Sequence, residues 1–167
     1  MVEKGADGRA GARADAAADV PARMAGDVPA GMAGSVIVRA DTTAPDDWSG
    51  TPFGHLDIRS LVSEARQGSE KIMVGQTIYP PGGTHEHHLH PDAEEVVIVM
   101  SGRGWHRVGS EYYDIGPGDI VFIPANAEHS AGCDEGGEPM VILWILGGAP
   151  SLEKAGYAAV PEIPRDR

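Results

Sequence analysis

The chain has 167 residues and a formal charge of −12, which arises from 25 acidic and 13 basic side chains. A single domain is the expectation at this length, and nucleic acid and anionic membranes are poor partners because they attract clustered Lys and Arg. No apolar run reaches the roughly 18 residues of a membrane-spanning helix, and the N-terminus lacks the basic-then-apolar order of a secretion signal, so we predict a cytoplasmic protein.

Residues 1–34 differ in composition from the rest of the chain. They contain eleven Ala, six Gly and no aromatic residue, and the octapeptide Asp19–Gly26 recurs with one change at Asp27–Gly34. Two copies of eight residues are too few to stack into a solenoid. Such small side chains also bury too little apolar surface to offset the entropy of the chain. We therefore predict a disordered Ala/Gly-rich leader at 1–34.

Short apolar runs separated by turn signals fill residues 35–150. Gly and Pro together number 36 and aromatic residues nine, a composition typical of many short strands. The predicted strands are Ser35–Ala40, Lys71–Tyr79, Glu95–Met100, Arg103–Val108, Glu111–Ile115, Ile120–Ile123, Ser130–Cys133 and Met140–Leu146. This pattern predicts an all-β sandwich or barrel over 35–150, followed by a C-terminal tail at 151–167.

Two features of this region have more than one interpretation. The stretch Leu56–Gln67 fits a helix that stops at Gly68, but its first residues also alternate as in a strand. Trp105 and Trp144 lie in strand-like runs, and we assign both to the core rather than to a substrate platform.

Histidines are concentrated in one short window. Four of the seven lie within six residues, namely His85, His87, His88 and His90, and Glu94 and Glu95 follow. Because residues i and i+2 of a strand point to the same face, either His88 with His90 or His85 with His87 can hold one metal ion. Such an ion needs further ligands, which Glu95 and His129 supply if the strands fold back on one another.

The spacing of these residues resembles the first motif of the cupin superfamily. Its anchors are Gly, then five residues, His-x-His, four residues, Glu, six residues and Gly, and the matching positions are Gly82, His88, His90, Glu95 and Gly102. The second cupin motif is matched at Gly118, Pro124 and His129. Asn126 replaces the turn glycine of that motif and Cys133 replaces its last Asn. The first change is mild, because Asn tolerates a left-handed backbone better than other non-glycine residues.

The resemblance implies a small jelly-roll β-barrel that binds one divalent transition metal per chain. Its implied ligands are His88, His90, Glu95 and His129. Three imidazoles and one carboxylate suit Fe(II), which we favour, and also Zn, Mn, Ni or Co, but they do not form the oxygen cage typical of calcium.

Three functions are compatible with this resemblance. The favoured one is an Fe(II)-dependent oxygenase that acts on a small organic substrate. The second is a Lewis-acid enzyme with Zn, Mn or Ni, which would be a cyclase, isomerase, lyase or decarboxylase with His85 or His87 as the proton carrier. The third is a non-catalytic cupin that binds a sugar or metabolite. We also predict a homodimer, because pairing would protect an open edge strand.

Overall fold

The computed structural model of the protein describes residues 36–161. The predicted leader at 1–34 lies outside the described residues. The described chain contains ten strands, two short α-helices and a 3₁₀ helix at Ala40–Thr42. The strands are β1 (Asp57–Val62), β2 (Ile72–Tyr79), β3 (Thr84–Leu89), β4 (Glu94–Ser101), β5 (Gly104–Val108), β6 (Glu111–Ile115), β7 (Ile120–Ile123), β8 (His129–Cys133), β9 (Met140–Gly147) and β10 (Ala158–Ala159). The α-helices are α1 (Glu64–Gln67) and α2 (Leu152–Ala155).

These strands form two five-stranded antiparallel sheets. The first sheet has the order β1-β2-β9-β4-β7 and the second has the order β10-β3-β8-β5-β6. The inward residues of β9 alternate with half-buried ones, so that Met140, Ile142, Trp144 and Leu146 enter the core. The two-sheet architecture confirms the predicted all-β fold. No helix within residues 36–161 is both long and apolar enough to cross a membrane.

The turns adopt the backbone conformations that their sequences indicate. Gly102 has φ 75°, and a Cβ at this position would lie 2.5 Å from the Cα of Met140, so the turn after β4 requires glycine. Asn126, which replaces the turn glycine of the second motif, has φ 64° and is the one non-glycine residue with positive φ in the described chain. The prediction that this replacement is structurally mild is consistent with its geometry.

Seven of the eight predicted strands are present, and the exception is Ser35–Ala40. No strand forms at residues 36–40, where Val36 and Ile37 are each 64% exposed. A β-rich sequence is not enough by itself, because a strand needs a neighbour to satisfy its backbone. Both interpretations of Leu56–Gln67 are partly correct: β1 occupies its first half, and Ser63 then caps α1, which ends at Gly68 with φ 71°.

Two further elements differ from the sequence-based expectation. The histidine-rich run forms β3, a strand absent from the predicted set. The segment 151–161, which we assigned to the C-terminal tail, contains α2 and β10, and β10 pairs with β3 at His88 and Leu89. The tail interpretation is therefore wrong for this segment, because it completes an edge of the second sheet.

Candidate metal centre

Four predicted ligand residues meet between the two sheets. His88 is the penultimate residue of β3, and His90 lies just beyond the end of that strand. Glu95 is on β4 of the other sheet, and His129 is the first residue of β8. One potential ligand atom from each of these side chains lies within 4.8 Å of the others. All four residues are buried. The fold thus brings together the same four residues that the resemblance implies, and together they can hold one metal ion.

Backbone carbonyls orient the three imidazoles. Nδ1 of His88 lies 2.9 Å from the Glu86 carbonyl, and Nδ1 of His129 lies 2.9 Å from the Ala127 carbonyl. Nδ1 of His90 lies 2.6 Å from the carbonyl of Gly156, 66 positions away in the chain. A carbonyl only accepts, so each Nδ1 carries the hydrogen and each Nε2 keeps its lone pair. Outer contacts of this kind commonly fix the tautomer of metal-binding histidines.

The Glu95 carboxylate completes the cluster. Its Oε2 lies 3.0 Å from Nε2 of His129 and 3.7 Å from Nε2 of His90. Although they lie close together, Oε2 of Glu95 and Nε2 of His129 are both buried and form no hydrogen bond with each other. Buried polar atoms without a partner are costly. Two buried atoms 3.0 Å apart that share no hydrogen bond, inside the four-residue cluster, are the arrangement expected of ligands to one cation.

The protonation states also suit a cation. Burial lowers the pKa of His88 and that of His90, so both imidazoles stay neutral at physiological pH. Burial alone would raise the pKa of Glu95, but His129 outweighs it and keeps the carboxylate ionised. Burial likewise opposes the charged form of His129, yet Glu95 raises the pKa of His129. Without a metal, the charged form of His129 carries an extra proton that faces Glu95. A divalent ion would take the place of this proton as the partner of Glu95.

The structure separates the two histidines predicted as proton carriers. His85 pairs with Ala131 and His88 with His129, so three residues along β3 match two along β8. This bulge places His85 on the same side as His88, with the ring centroids 4.5 Å apart. His87 points away from the cluster, and the guanidinium Nη1 of Arg107 lies 2.7 Å from its Nδ1. His87 is not among the described residues that line the cavity, so its predicted role as a proton carrier gains no support from this geometry. Alternation already places His87 opposite its neighbour His88, and the bulge is what brings His85 to the face of His88.

A cavity of about 370 Å³ opens beside the four ligand residues. His85 and His106 both line it, and burial lowers the pKa of each, that of His106 to about 4. His85 stacks on Phe53 with ring centroids 5.0 Å apart, and Tyr157 stacks on His88 at 4.8 Å. Trp144, assigned to the core from the sequence, is both a core residue and part of the cavity wall.

Several of these residues have no local signal in the sequence. Phe53 lies before the first strand and Tyr157 lies in the segment that we had assigned to the tail. The hydroxyl of Tyr157 donates a hydrogen bond to Glu86 Oε1 at 2.7 Å. Only tertiary structure brings these side chains to the site. To predict the position of Tyr157, a sequence pattern would have had to indicate that β10 pairs with β3.

The chain is similar to proteins of one large family. Residues 75–146 match the family model of the cupin domain. An uncharacterized protein of Methanocaldococcus jannaschii is 28% identical over 72 residues, which are 43% of this chain and 58% of that protein. Germin-like protein 5-1 of Oryza sativa subsp. japonica is 29% identical over 102 residues, 56% of this chain and 46% of that protein. The chain thus spans about half the length of the curated relatives it matches.

Solved structures share the fold at low sequence identity. A predicted oxalate decarboxylase from Thermotoga maritima is 19% identical with a TM-score of 0.57, and the match covers 66% of this chain and 97% of that one. The polyketide cyclase RemF from Streptomyces resistomycificus is 17% identical with a TM-score of 0.62, and the match covers 77% of this chain and 87% of that one. A protein from Klebsiella pneumoniae described as a double-stranded β-helix is 19% identical with a TM-score of 0.60, over 77% of this chain and 99% of that one. These similarities establish the architecture and leave the reaction to be argued from the site.

Proposed function

We propose that this chain, in which residues 75–146 match the cupin domain model, is a metal-dependent enzyme acting on a small organic substrate. One observation carries the proposal: three imidazole Nε2 atoms and one carboxylate converge beside a cavity, with each imidazole fixed through its Nδ1 atom. Nitrogen-rich sets of this kind suit divalent transition metals. Four protein ligands leave open positions on an ion that accepts about six.

The reaction that we favour is an Fe(II)-dependent oxygenation. Fe(II) would supply the one-electron and dioxygen chemistry that protein side chains lack. The protein's own contribution is to hold the ion through the His88, His90, Glu95 and His129 side chains and to surround the substrate with largely apolar walls. Such walls exclude water and so protect reactive species from side reactions.

A Lewis-acid reaction is the second candidate, and His85 is the observation in its favour. Burial lowers the pKa of His85, so its imidazole is neutral and able to accept a proton near neutral pH. Its ring lies beside that of His88 and faces the same cavity. A cyclase, isomerase, lyase or decarboxylase would use His85 to move a proton while a bound ion polarises a carbonyl. A sugar-binding role has less support, since sugars need many hydrogen-bonding groups and these walls are mainly apolar.

Turnover with and without dioxygen distinguishes the two reactions. We expect protein loaded anaerobically with Fe(II) to consume dioxygen in an electrode with a panel of one-ring and two-ring phenols and monocarboxylates, and the Zn(II)-loaded protein to consume none. Product formation under strict anaerobiosis would contradict the oxygenase. In that case His85→Gln should lower the rate by about 10²–10⁴-fold, the usual contribution of general acid–base catalysis, whereas His55→Gln, at an exposed position, should not change it.

A further inference from the structure

We infer, on the basis of the proposed function, that the substrate is a flat, largely apolar molecule that carries a single anionic group. The cavity volume of about 370 Å³ is at the small end of ligand pockets, which span about 300–1,000 Å³. Most of the wall surface is apolar and comes from aromatic and aliphatic side chains, among them Trp48, Phe53, Ile58, Val97, Trp144 and Leu146.

Charge limits the substrate more strongly than volume does. Among the described residues that line the cavity, the charged ones are Glu95 and Glu153, and there is no lysine or arginine. Glu153 is exposed, and Arg107 interacts with His87 away from the cluster. With a divalent ion and the Glu95 carboxylate, the site has one net positive charge, which one anionic oxygen of the substrate neutralises. A second carboxylate would be buried without a counter-charge, which should lower the affinity by about 100-fold or more.

A fixed indole forms one wall and presents little polar surface. Trp144 lies across Gly75 on the neighbouring strand, where an added Cβ would overlap its ring. The indole Nε1 donates to Thr77 Oγ1 at 3.1 Å, so its one polar hydrogen is already used. The cavity therefore meets the substrate with an aromatic face, and flat rings pack well on such faces. Oxalate, for which one similar structure is named, is a small dianion and fits neither the walls nor the charge.

A matched pair of ligands tests this inference. The Zn(II)-loaded protein is titrated with 2-naphthoate, with naphthalene-2,6-dicarboxylate and with oxalate, and binding is followed by calorimetry and tryptophan fluorescence. We expect 2-naphthoate to bind at least about 100-fold more tightly than the dicarboxylate, which corresponds to about 2.8 kcal/mol. The fluorescence change should persist in Trp105→Phe, because Trp105 is not part of the cavity wall. Equal or tighter binding of oxalate or of the dicarboxylate would overturn the inference, and so would failure of 2-naphthoate to bind.

A second variant gives an independent readout, and metal content separates the two proposals. Leu152→Arg places a cation in the cavity wall and should raise the dicarboxylate affinity by about tenfold or more relative to 2-naphthoate. Ala158→Arg adds the same charge at an exposed position outside the wall and should leave that ratio unchanged. Metal content is measured first. A protein that binds no metal contradicts the proposed function, whereas a metal-loaded protein that prefers dianions contradicts only the inference about the substrate.

The apolar outer face of the first sheet supports a second, independent inference. We propose that a second copy of this chain packs on this face. Strands β4, β7 and β9 are almost continuously apolar instead of alternating, a pattern typical of strands that are buried on both faces. Their outward residues form cross-strand rows that consist of Val96, Ile98, Ile120, Phe122, Leu143 and Ile145. Ile120 and Phe122 are 68% and 56% exposed.

The size and charge of this face suit a self-complementary dimer. Five strands about 4.8 Å apart and an eight-residue β9 at about 3.4 Å per residue give a face of roughly 600 Å² in projection. A standard interface buries about 800 Å² of accessible surface per partner, and a corrugated face exceeds its projection. The six outward residues carry no charge, so two copies can approach there despite the overall charge of −12. An isologous contact brings the same patch of both copies together.

Sedimentation of the full chain tests this proposal. We expect a dimer at micromolar concentration and a monomer for Phe122→Glu, which would bury a charge within the contact. Tyr113→Glu is the matched control: Tyr113 is 52% exposed on β6 of the other sheet, so this variant should remain dimeric. Circular dichroism verifies that each variant is folded. A monomeric wild-type chain, or a Phe122→Glu dimer of unchanged affinity, would overturn the proposal.

Discussion

The double variant His88→Ala/His90→Ala is expected to lose its tightly bound metal, whereas the wild-type chain should hold about one transition-metal ion. The substitution removes two of the three Nε2 donors and leaves His129 and Glu95, two ligands for an ion that needs at least four. Loss of an outer-shell contact typically weakens metal binding by about 10–100-fold. The loss of two direct ligands should exceed that range. Elemental analysis after dialysis, together with competition against a chromogenic chelator, measures the change.

His55→Ala is the matched control for this prediction. His55 is exposed and does not belong to the four-residue cluster, so its removal should leave metal occupancy unchanged. Thermal unfolding of each metal-free variant separates loss of the site from loss of the fold. A folded double variant with wild-type occupancy would contradict the assignment of both histidines as ligands.

The ligand residues could be predicted because local spacing determines much of their geometry. His88 and His90 are two positions apart at the end of one strand, and the glycine anchors of the motif adopt the positive φ values that its turns require. Glu95 faces inward because β4 alternates between the core and the outer face. The antiparallel pairing of β3 with β8 then brings His129 beside His88. Each step follows from a pattern within a few residues or from the pairing of two strands.

The separation of His85 from His87 shows where such reasoning fails. A bulge adds one residue to β3 between His85 and His88 and thereby brings His85 to the face of His88, whereas His87 stays on the opposite face. No glycine or proline marks the bulge in the sequence Thr84–Leu89. The buried contact between His87 and Arg107 is compatible with only one of the two directions. That contact comes from β5, which lies beyond β8 in the same sheet, so it was not visible in the histidine run itself.

The segment 151–161 was also beyond prediction, although it contacts the site directly. α2 has four residues and β10 two, too short for a periodic pattern to develop. What holds the segment in place is long-range: Ala155 is fully buried, and the amide of Asp92 donates to its carbonyl at 3.0 Å. The segment therefore reads as a tail in the sequence, while in the structure it supports two of the ligand histidines.

Ala155→Asp is accordingly expected to weaken metal binding by about 10–100-fold without removing a ligand. A carboxylate at this fully buried position should displace the segment, because a buried charge without a partner is costly. Displacement would remove the Gly156 carbonyl, which accepts a hydrogen bond from Nδ1 of His90 at 2.6 Å. It would also remove the Tyr157 ring that stacks on His88. His90 would then lose the contact that fixes its tautomer. Chelator competition on the metal-free protein measures the affinity, and circular dichroism measures the fold.

Two further variants determine whether position or mere charge causes the effect. Ala158→Asp adds the same carboxylate to the same segment at an exposed position, and its metal affinity should match the wild type. Tyr157→Phe keeps the ring on His88 and removes only the hydroxyl that bonds Glu86, so a change of less than about threefold is expected. If Ala155→Asp keeps wild-type affinity while it remains folded, the segment does not position His90. If Ala158→Asp weakens binding equally, the added charge acts at a distance and the carbonyl contact is not the cause.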